Sequence, residues 1–255
     1  MTSSSGSDRD WQQWGEQDPY FAVLTDERLQ RDRLTPEALA AFFQSGEAHV
    51  ARVLGTIRQH LDPGFHPRRG LDFGCGVGRV LLPLAEAAEQ MVGVDVSSAM
   101  LEEARKNADA RHLANVELVR SDDGLSRVSG RFDFVHSHIV LQHIPVARGE
   151  RLLRRLLELL EPGGVGAFHV PYRRSVGPVR RAAGWARRTV PGVHGVLNRL
   201  RGMPWGRPPM QMNVYDLGRL YRLFESAGVA QVHSRFMRDG EYHGVMLYVQ
   251  KAAGP

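Results

Sequence analysis

The 255-residue chain holds a single cysteine, Cys75, so no disulfide can form within it and a disulfide-stapled secreted scaffold is excluded. A lone thiol fits a reducing compartment. No apolar stretch approaches the roughly 18 residues that a membrane-spanning helix needs. The first ten residues are Ser-rich and polar, without the apolar centre of a secretory signal. They read as a disordered tail (1–10), and the protein as cytoplasmic. Paired cysteines and a His-x-x-x-His pattern are missing too, so no metal site is expected. The absence of internal repeats sets aside solenoids and propellers.

Acid is missing from one stretch. Between Pro162 and Tyr215 there is no Asp, Glu or Lys, but there are nine arginines, at 173, 174, 180, 181, 187, 188, 199, 201 and 207. The other 24 basic residues face 28 acids, so the rest of the chain carries about −4 although the whole carries +5. Basicity belongs to one segment, which lacks aromatics interleaved at an RNA-binding spacing; no nucleic-acid partner is expected.

What is present reads as one α/β catalytic core, the size of 255 residues being short for two enzyme domains. An amino-terminal helical cap over 11–66 contains Trp11, Trp14, Tyr20 and Phe21, then Thr35-Pro36-Glu37, where Thr caps a helix with Pro in its first turn. The core covers 67–255. From Arg69 short apolar runs alternate with helical periods, the signature of a parallel sheet. Strands are predicted over 70–73, 91–95, 116–120, 132–137 and 165–170, with helices near 79–88, 98–112 and 148–160, the last closed by Glu161-Pro162-Gly163-Gly164. The Arg-rich insertion, 172–212, interrupts this alternation. A helix over 216–227 and two strands, 231–237 and 244–250, joined through Asp239-Gly240, complete the pattern.

Gly74, Gly76 and Gly78 lie between the first strand and its helix, where a ligand can approach bare amides at a helix start. Asp95 closes the second strand 21 positions after Gly74, placed to accept ribose hydroxyls, and Asp122 follows the third strand on the same sheet edge. A nicotinamide enzyme wants G-x-G-x-x-G, but the last glycine's position holds Arg79. Asp72, two residues before Gly74, would repel a pyrophosphate and attract an ammonium or sulfonium.

The segments LDFGCGVG (71–78), VGVDVS (92–97), RSDDG (120–124), FDFVHSHIVLQHI (132–144) and EPGG (161–164) resemble the successive motifs of class I S-adenosylmethionine-dependent methyltransferases, small-molecule type. The resemblance implies a seven-stranded, mostly parallel Rossmann-like sheet of order 3-2-1-4-5-7-6, its seventh strand antiparallel, with helices on both faces. It implies S-adenosylmethionine as cofactor and S-adenosylhomocysteine as product. Asp72, Gly74, Cys75, Gly76 and Gly78 would hold the methionine portion, Asp95 the ribose and Asp122 the adenine amino group. Val96, Met100, Asp123 and Ser137 would line the adenosine pocket. Cys75, with no base among the surrounding glycines, reads as a packing residue rather than a nucleophile.

The expected reaction is methyl transfer to a small-molecule or sugar hydroxyl. Placement of the acceptor supplies most of the acceleration, and a hydroxyl also needs a base. His143 first and His138 second, both after the fourth strand, are the candidates, each alternatively a loop-shaping residue; His136, on the opposite strand face, reads as structural. Substrate-pocket candidates are Trp14 and Tyr20, His169, Tyr172 and Arg173, and Tyr242 and His243 with Asp239 at the rim of the reversed last strand. The block Trp14 to Phe21 resembles lids of bacterial small-molecule and glycan-associated methyltransferases. Residues 178–190 read as a short cationic amphipathic helix with three open uses: a lid recognising an anionic group, a peripheral membrane contact for a lipid-linked acceptor, or a solvated decoration. N- or C-methylation without a base, and a non-catalytic scaffold that binds the donor, are the alternatives to O-methylation.

Overall fold

The computed structural model describes residues 6–122, 124–175, 199 and 210–254. Its centre is a seven-stranded sheet of order β3-β2-β1-β4-β5-β7-β6, with β1 Arg69–Phe73, β2 Gln90–Asp95, β3 Val116–Arg120, β4 Phe132–Ser137, β5 Leu160–Arg174, β6 Val229–Asp239 and β7 Tyr242–Lys251. The first five strands run parallel, and β7 pairs antiparallel with both β5 and β6. This is the expected Rossmann-like methyltransferase topology.

Seven helices surround it among the described residues: α1 Gly6–Gln17, α2 Pro19–Val23, α3 Pro36–His60, α4 Leu81–Glu86, α5 Ser98–Ala110, α6 Val146–Leu159 and α7 Leu217–Ser226. Thr35, Ser97 and Asp216 cap α3, α5 and α7 by accepting from amides in the first turn. One face of the sheet buries Leu71, Val92, Val135 and Phe168 against the leucines of α6 and the buried face of α7. The other buries Met91, Phe134 and Ala167 against α4 and Val50, Val53, Leu54 and Ile57 of α3. No described helix is long and apolar enough to cross a membrane.

Three expectations change. Residues 6–10, read as part of a disordered tail, are the first turns of α1, and Ser7 is buried. Glu161 to Gly164 do not close a helix in a free turn; they lie inside β5. Leu160 pairs with Phe132 and Val165 with Phe134, so the extra residues form a bulge in which Gly163 takes φ +75°. The helix after the glycine loop begins at Leu81 rather than Arg79, because the loop's positive-φ turns run through Gly78. The Arg-rich residues 178–190 and Asp123 lie outside the described residues.

Candidate active site

The loop after β1 needs glycine for two reasons. Gly74, Gly76 and Gly78 have φ of +75°, +52° and +92°, a region that residues with a Cβ rarely adopt, and a Cβ on Gly74 would collide with Val140. The amides of Gly74 and Cys75 donate to the Val94 carbonyl at 2.7 and 3.1 Å, which ties the loop to the end of β2. Asp95 locks the same corner: its carboxylate accepts from Gly76 N and Ser97 N, both at 2.9 Å. Burial raises the Asp95 pKa against the pull of these amides. The carboxylate retains lone-pair capacity for a ligand hydroxyl.

A cleft, partly open to solvent, lies over this corner. Gly74, Gly76, Asp95, Val96 and Met100 line one side, and His138, Ile139, Val140 and His143 the other. Ile139 has φ +63°, an unusual conformation for a β-branched residue and one that marks this strand end as held by its surroundings. α1 closes the cleft with Asp8 and Trp11.

Other sequence candidates sit elsewhere. Asp72 is buried below the loop, 2.8 Å from His136 Nδ1. Cys75 is buried, and desolvation drives its thiol pKa well up, as a packing residue requires. Gly78 lies against Leu82 rather than in the cleft. The Ser137 hydroxyl donates to the Phe73 carbonyl at 3.0 Å. Asp122 folds onto its own turn, accepting from Gly124 N, Ser126 N and the Ser126 hydroxyl, which lower its pKa; the neighbouring Ser121 lines the cleft instead. Trp14 packs against Phe21, and the Tyr20 hydroxyl donates to Glu103 at 2.8 Å, so both serve the contact between α1–α2 and α5. Tyr172 and His243 face each other at the β5–β7 rim, Tyr242 lies beneath the Arg174 guanidinium, and Arg173 pairs in register with His243. None of these four lines the cleft.

Asp8, Trp11 and Arg148 are cleft residues that the sequence does not single out. Asp8 and Trp11 are one helical turn apart, a spacing that becomes a signal only once the tail is recognised as helix. Arg148 Nη1 and Nη2 donate to the two Asp8 oxygens at 2.7 and 3.1 Å across the cleft mouth.

His143 lies edge-on to Trp11, ring centroids 5.0 Å apart, and its Nδ1 meets the Gln211 carbonyl at 2.7 Å. A carbonyl only accepts, so Nδ1 carries the proton and the neutral ring keeps its lone pair on Nε2. The Gln142 amide nitrogen approaches that lone pair at a long 3.3 Å. Burial pulls the His143 pKa down to about 4, outweighing the carbonyl's opposite effect. His138 differs: an Arg79 Nη2–H donates to its Nδ1 at 3.1 Å, so its neutral ring bears the proton on Nε2. His138 also lies against His49, the tilted rings 3.8 Å apart at their centroids, and neighbours His169 at 5.3 Å. His49 Nε2 in turn meets His136 Nε2 at 3.0 Å, joining α3 to the Asp72–His136 pair. No described cluster of His, Cys, Asp or Glu has an arrangement that would hold a metal ion.

A family model described as "Methyltransferase domain" matches residues 71–164, the stretch that builds the loop, the acid at the end of β2 and the cleft's far wall. Residues 71–164 thus form a methyltransferase domain. Over 103 residues, 40% of its length, the chain is 40% identical to a trans-aconitate 2-methyltransferase of Deinococcus radiodurans, of which this covers 37%. Over 111 residues, 42% of the chain, it is 37% identical to an aklanonic acid methyltransferase of Streptomyces sp. strain C5, of which this covers 50%. The chain thus spans half or less of these curated relatives. The magnesium protoporphyrin IX methyltransferase of Synechocystis PCC 6803, solved with bound S-adenosylhomocysteine, has a TM-score of 0.63 over 96% of this chain and 100% of that one. At 16% identity that likeness is one of fold. The matched stretch ends before the Arg-rich segment and excludes α1 to α3.

Proposed function

We propose that this protein transfers the methyl group of S-adenosylmethionine to a hydroxyl oxygen of a small-molecule or sugar acceptor, with His143 as the base. The residues fit that donor: Gly74 and Gly76 line the cleft without side chains, Asp95 stands at the end of β2 for the ribose, and Val96, Met100 and Val140 offer apolar walls to an adenine. Bound there, the donor supplies an electrophilic methyl carbon on a sulfonium. The chain's part is to hold an acceptor oxygen in line with it and to exclude water.

The observation that carries the choice of base is the fixed tautomer of His143. Its Nδ1 is held by the Gln211 carbonyl while its ring lines the cleft, so Nε2 carries the lone pair, met by the long 3.3 Å approach of the Gln142 amide that a substrate hydroxyl must displace. His138 has its basic nitrogen covered by Arg79 and is the weaker candidate. Asp72 supports the loop through His136 and acts on the donor's cationic end through space.

Calorimetry with S-adenosylhomocysteine tests the donor site: Asp95→Ala weakens binding more than about tenfold if the carboxylate takes the ribose. An acceptor screen read out as S-adenosylhomocysteine formation tests the reaction. His143→Ala should then lose about 10²–10⁴ in turnover while keeping product affinity. Turnover that survives this substitution would move the protein to N- or C-methylation, and donor binding with no acceptor turned over would make it a scaffold.

A further inference from the structure

Among the described residues, Arg79 is a buried cation beside the cleft that no carboxylate contacts directly. It is 5% exposed and forms no ion pair with any of them. Nη1 donates to the Ser45 hydroxyl at 3.3 Å, Nη2 donates to His138 Nδ1 at 3.1 Å, and Nε has no partner there. The nearby acid, Asp72, is engaged by His136. Burial pulls the Arg79 pKa down to about 10, outweighing the opposite pull of the Asp72 charge.

The side chains around Arg79 aggravate the imbalance. A guanidinium has donors only, so His138 Nδ1 accepts and the hydrogen of the neutral ring sits on Nε2. That nitrogen is buried and unpartnered among the described residues, and so is Nδ1 of the adjacent His169. Three nitrogens on adjacent side chains therefore lack a partner, two of them necessarily N–H donors, and no described residue supplies an oxygen to meet them. Buried donors without acceptors are rare in folded proteins unless a ligand or water completes them. His138 is the connection to function, because it also lines the cleft.

We infer that Arg79, His138 and His169 form a carboxylate-binding subsite behind His138, the member of the three that lines the cleft. A planar, singly charged, two-oxygen group matches one guanidinium edge and one imidazole N–H and neutralises Arg79 without adding a second unbalanced charge. Two molecules of the proposed reaction could bring such a group: the donor, through the carboxylate of its methionine portion, or an acid acceptor. The subsite rests on the methyltransferase reading above.

Calorimetry on the full-length protein separates the sources. The probes are S-adenosylhomocysteine and 5′-methylthioadenosine, the same nucleoside thioether without the amino-acid carboxylate. If the donor's carboxylate fills the subsite, Arg79→Met weakens S-adenosylhomocysteine by about 10- to 100-fold and leaves methylthioadenosine within about twofold. If the acceptor's fills it, both nucleosides are unaffected. Succinate, a simple dicarboxylate probe, then raises the melting temperature of the product-saturated wild type and not of Arg79→Met. Arg79→Lys should recover part of whichever effect is seen. His138→Gln, which keeps an N–H near Nε2, should retain the effect that His138→Ala loses, and this pair reports even if Arg79→Met does not fold. Equal changes for both nucleosides, or no change in either with no succinate shift, would overturn the subsite. Wild-type protein that binds neither nucleoside would overturn the donor reading, and the subsite with it.

Discussion

At the scale of single residues, the unusual feature is how many histidines the fold keeps neutral. His49, His138, His143 and His169 are all depressed, in each case chiefly by burial, with the values for His143 and His169 falling to about 4. An unfolded chain takes up protons on these rings near pH 6.5, whereas the native state does not. Their contribution is therefore fully present above about pH 6.5 and is lost as pH falls toward about 4; a tenfold weaker hold on the proton in the folded state is worth about 1.4 kcal/mol per ring. Urea midpoints measured from pH 8 down to 5 should be flat at first and then drop with more than one proton taken up on unfolding. His169→Gln should flatten that slope, and an unchanged slope would count against the assignment. The residues legible in the sequence are those whose role follows from spacing: Gly74, Gly76 and Asp95 reach the cleft because a strand end and a turn put them there. Asp122 has the same kind of position, but its carboxylate is consumed by Ser126 and Gly124. That local turn competes with the ligand edge, and spacing does not register it. The Asp72–His136 pair is equally hidden, since it depends on the β1–β4 register that sets those two residues side by side.

At the scale of elements, α1 shows why the amino terminus does not read as structure. Gly6-Ser7-Asp8-Arg9-Asp10 has poor helix propensity, and nothing local predicts a helix there. Tertiary contacts make it: Asp8 to Arg148 of α6, Gln12 Oε1 accepting from Ser98 N of α5 at 2.9 Å, and Trp11 on His143. Gly15 packs so closely on Ser97 and Met100 that a Cβ there would clash. α1 therefore covers one side of the cleft, held at Asp8 and at Gly15, and is expected to gate a ligand's passage. Replacing Asp8 by Asn breaks a bidentate ion pair whose Arg148 and Asp8 side chains are only 14% and 17% exposed. We expect S-adenosylhomocysteine to dissociate several-fold faster from this variant in stopped-flow fluorescence, with the melting temperature little changed. An unchanged dissociation rate would mean that α1 is not the gate. Gly15→Ala should act more severely, because it lifts the lid from the α5 amino terminus.

At the scale of the whole molecule, the division into a cap over 11–66 and a core from 67 gives way to a different boundary. α3 is one of the layers of the sandwich: Val50, Val53, Leu54 and Ile57 are buried with Met91, Phe134 and Ala167 of the sheet, and Gly46 touches the Arg79 carbonyl so closely that no Cβ fits between them. α1 and α2 belong to a smaller cluster, with Trp14, Tyr20 and Phe21 seated on Phe42, Val77 and Met100. The order of the strands is legible because the motifs along 69–170 carry it. The layer to which α3 belongs is not, since an apolar helix face says that it is covered and not by what. Two truncations separate these roles. Removing residues 1–24 takes away the lid cluster but leaves both faces of the sheet covered, so the protein should keep one cooperative unfolding transition at a lower midpoint and bind S-adenosylhomocysteine at least tenfold more weakly. Removing residues 1–60 strips four buried aliphatic side chains of α3, each worth about 1.5–3 kcal/mol on burial, from one face of the sheet. The loss is comparable to the whole stability of an ordinary domain, so that truncation should not fold. A cooperative transition from the longer deletion, or undiminished product binding by the shorter one, would show that the layers are assigned wrongly.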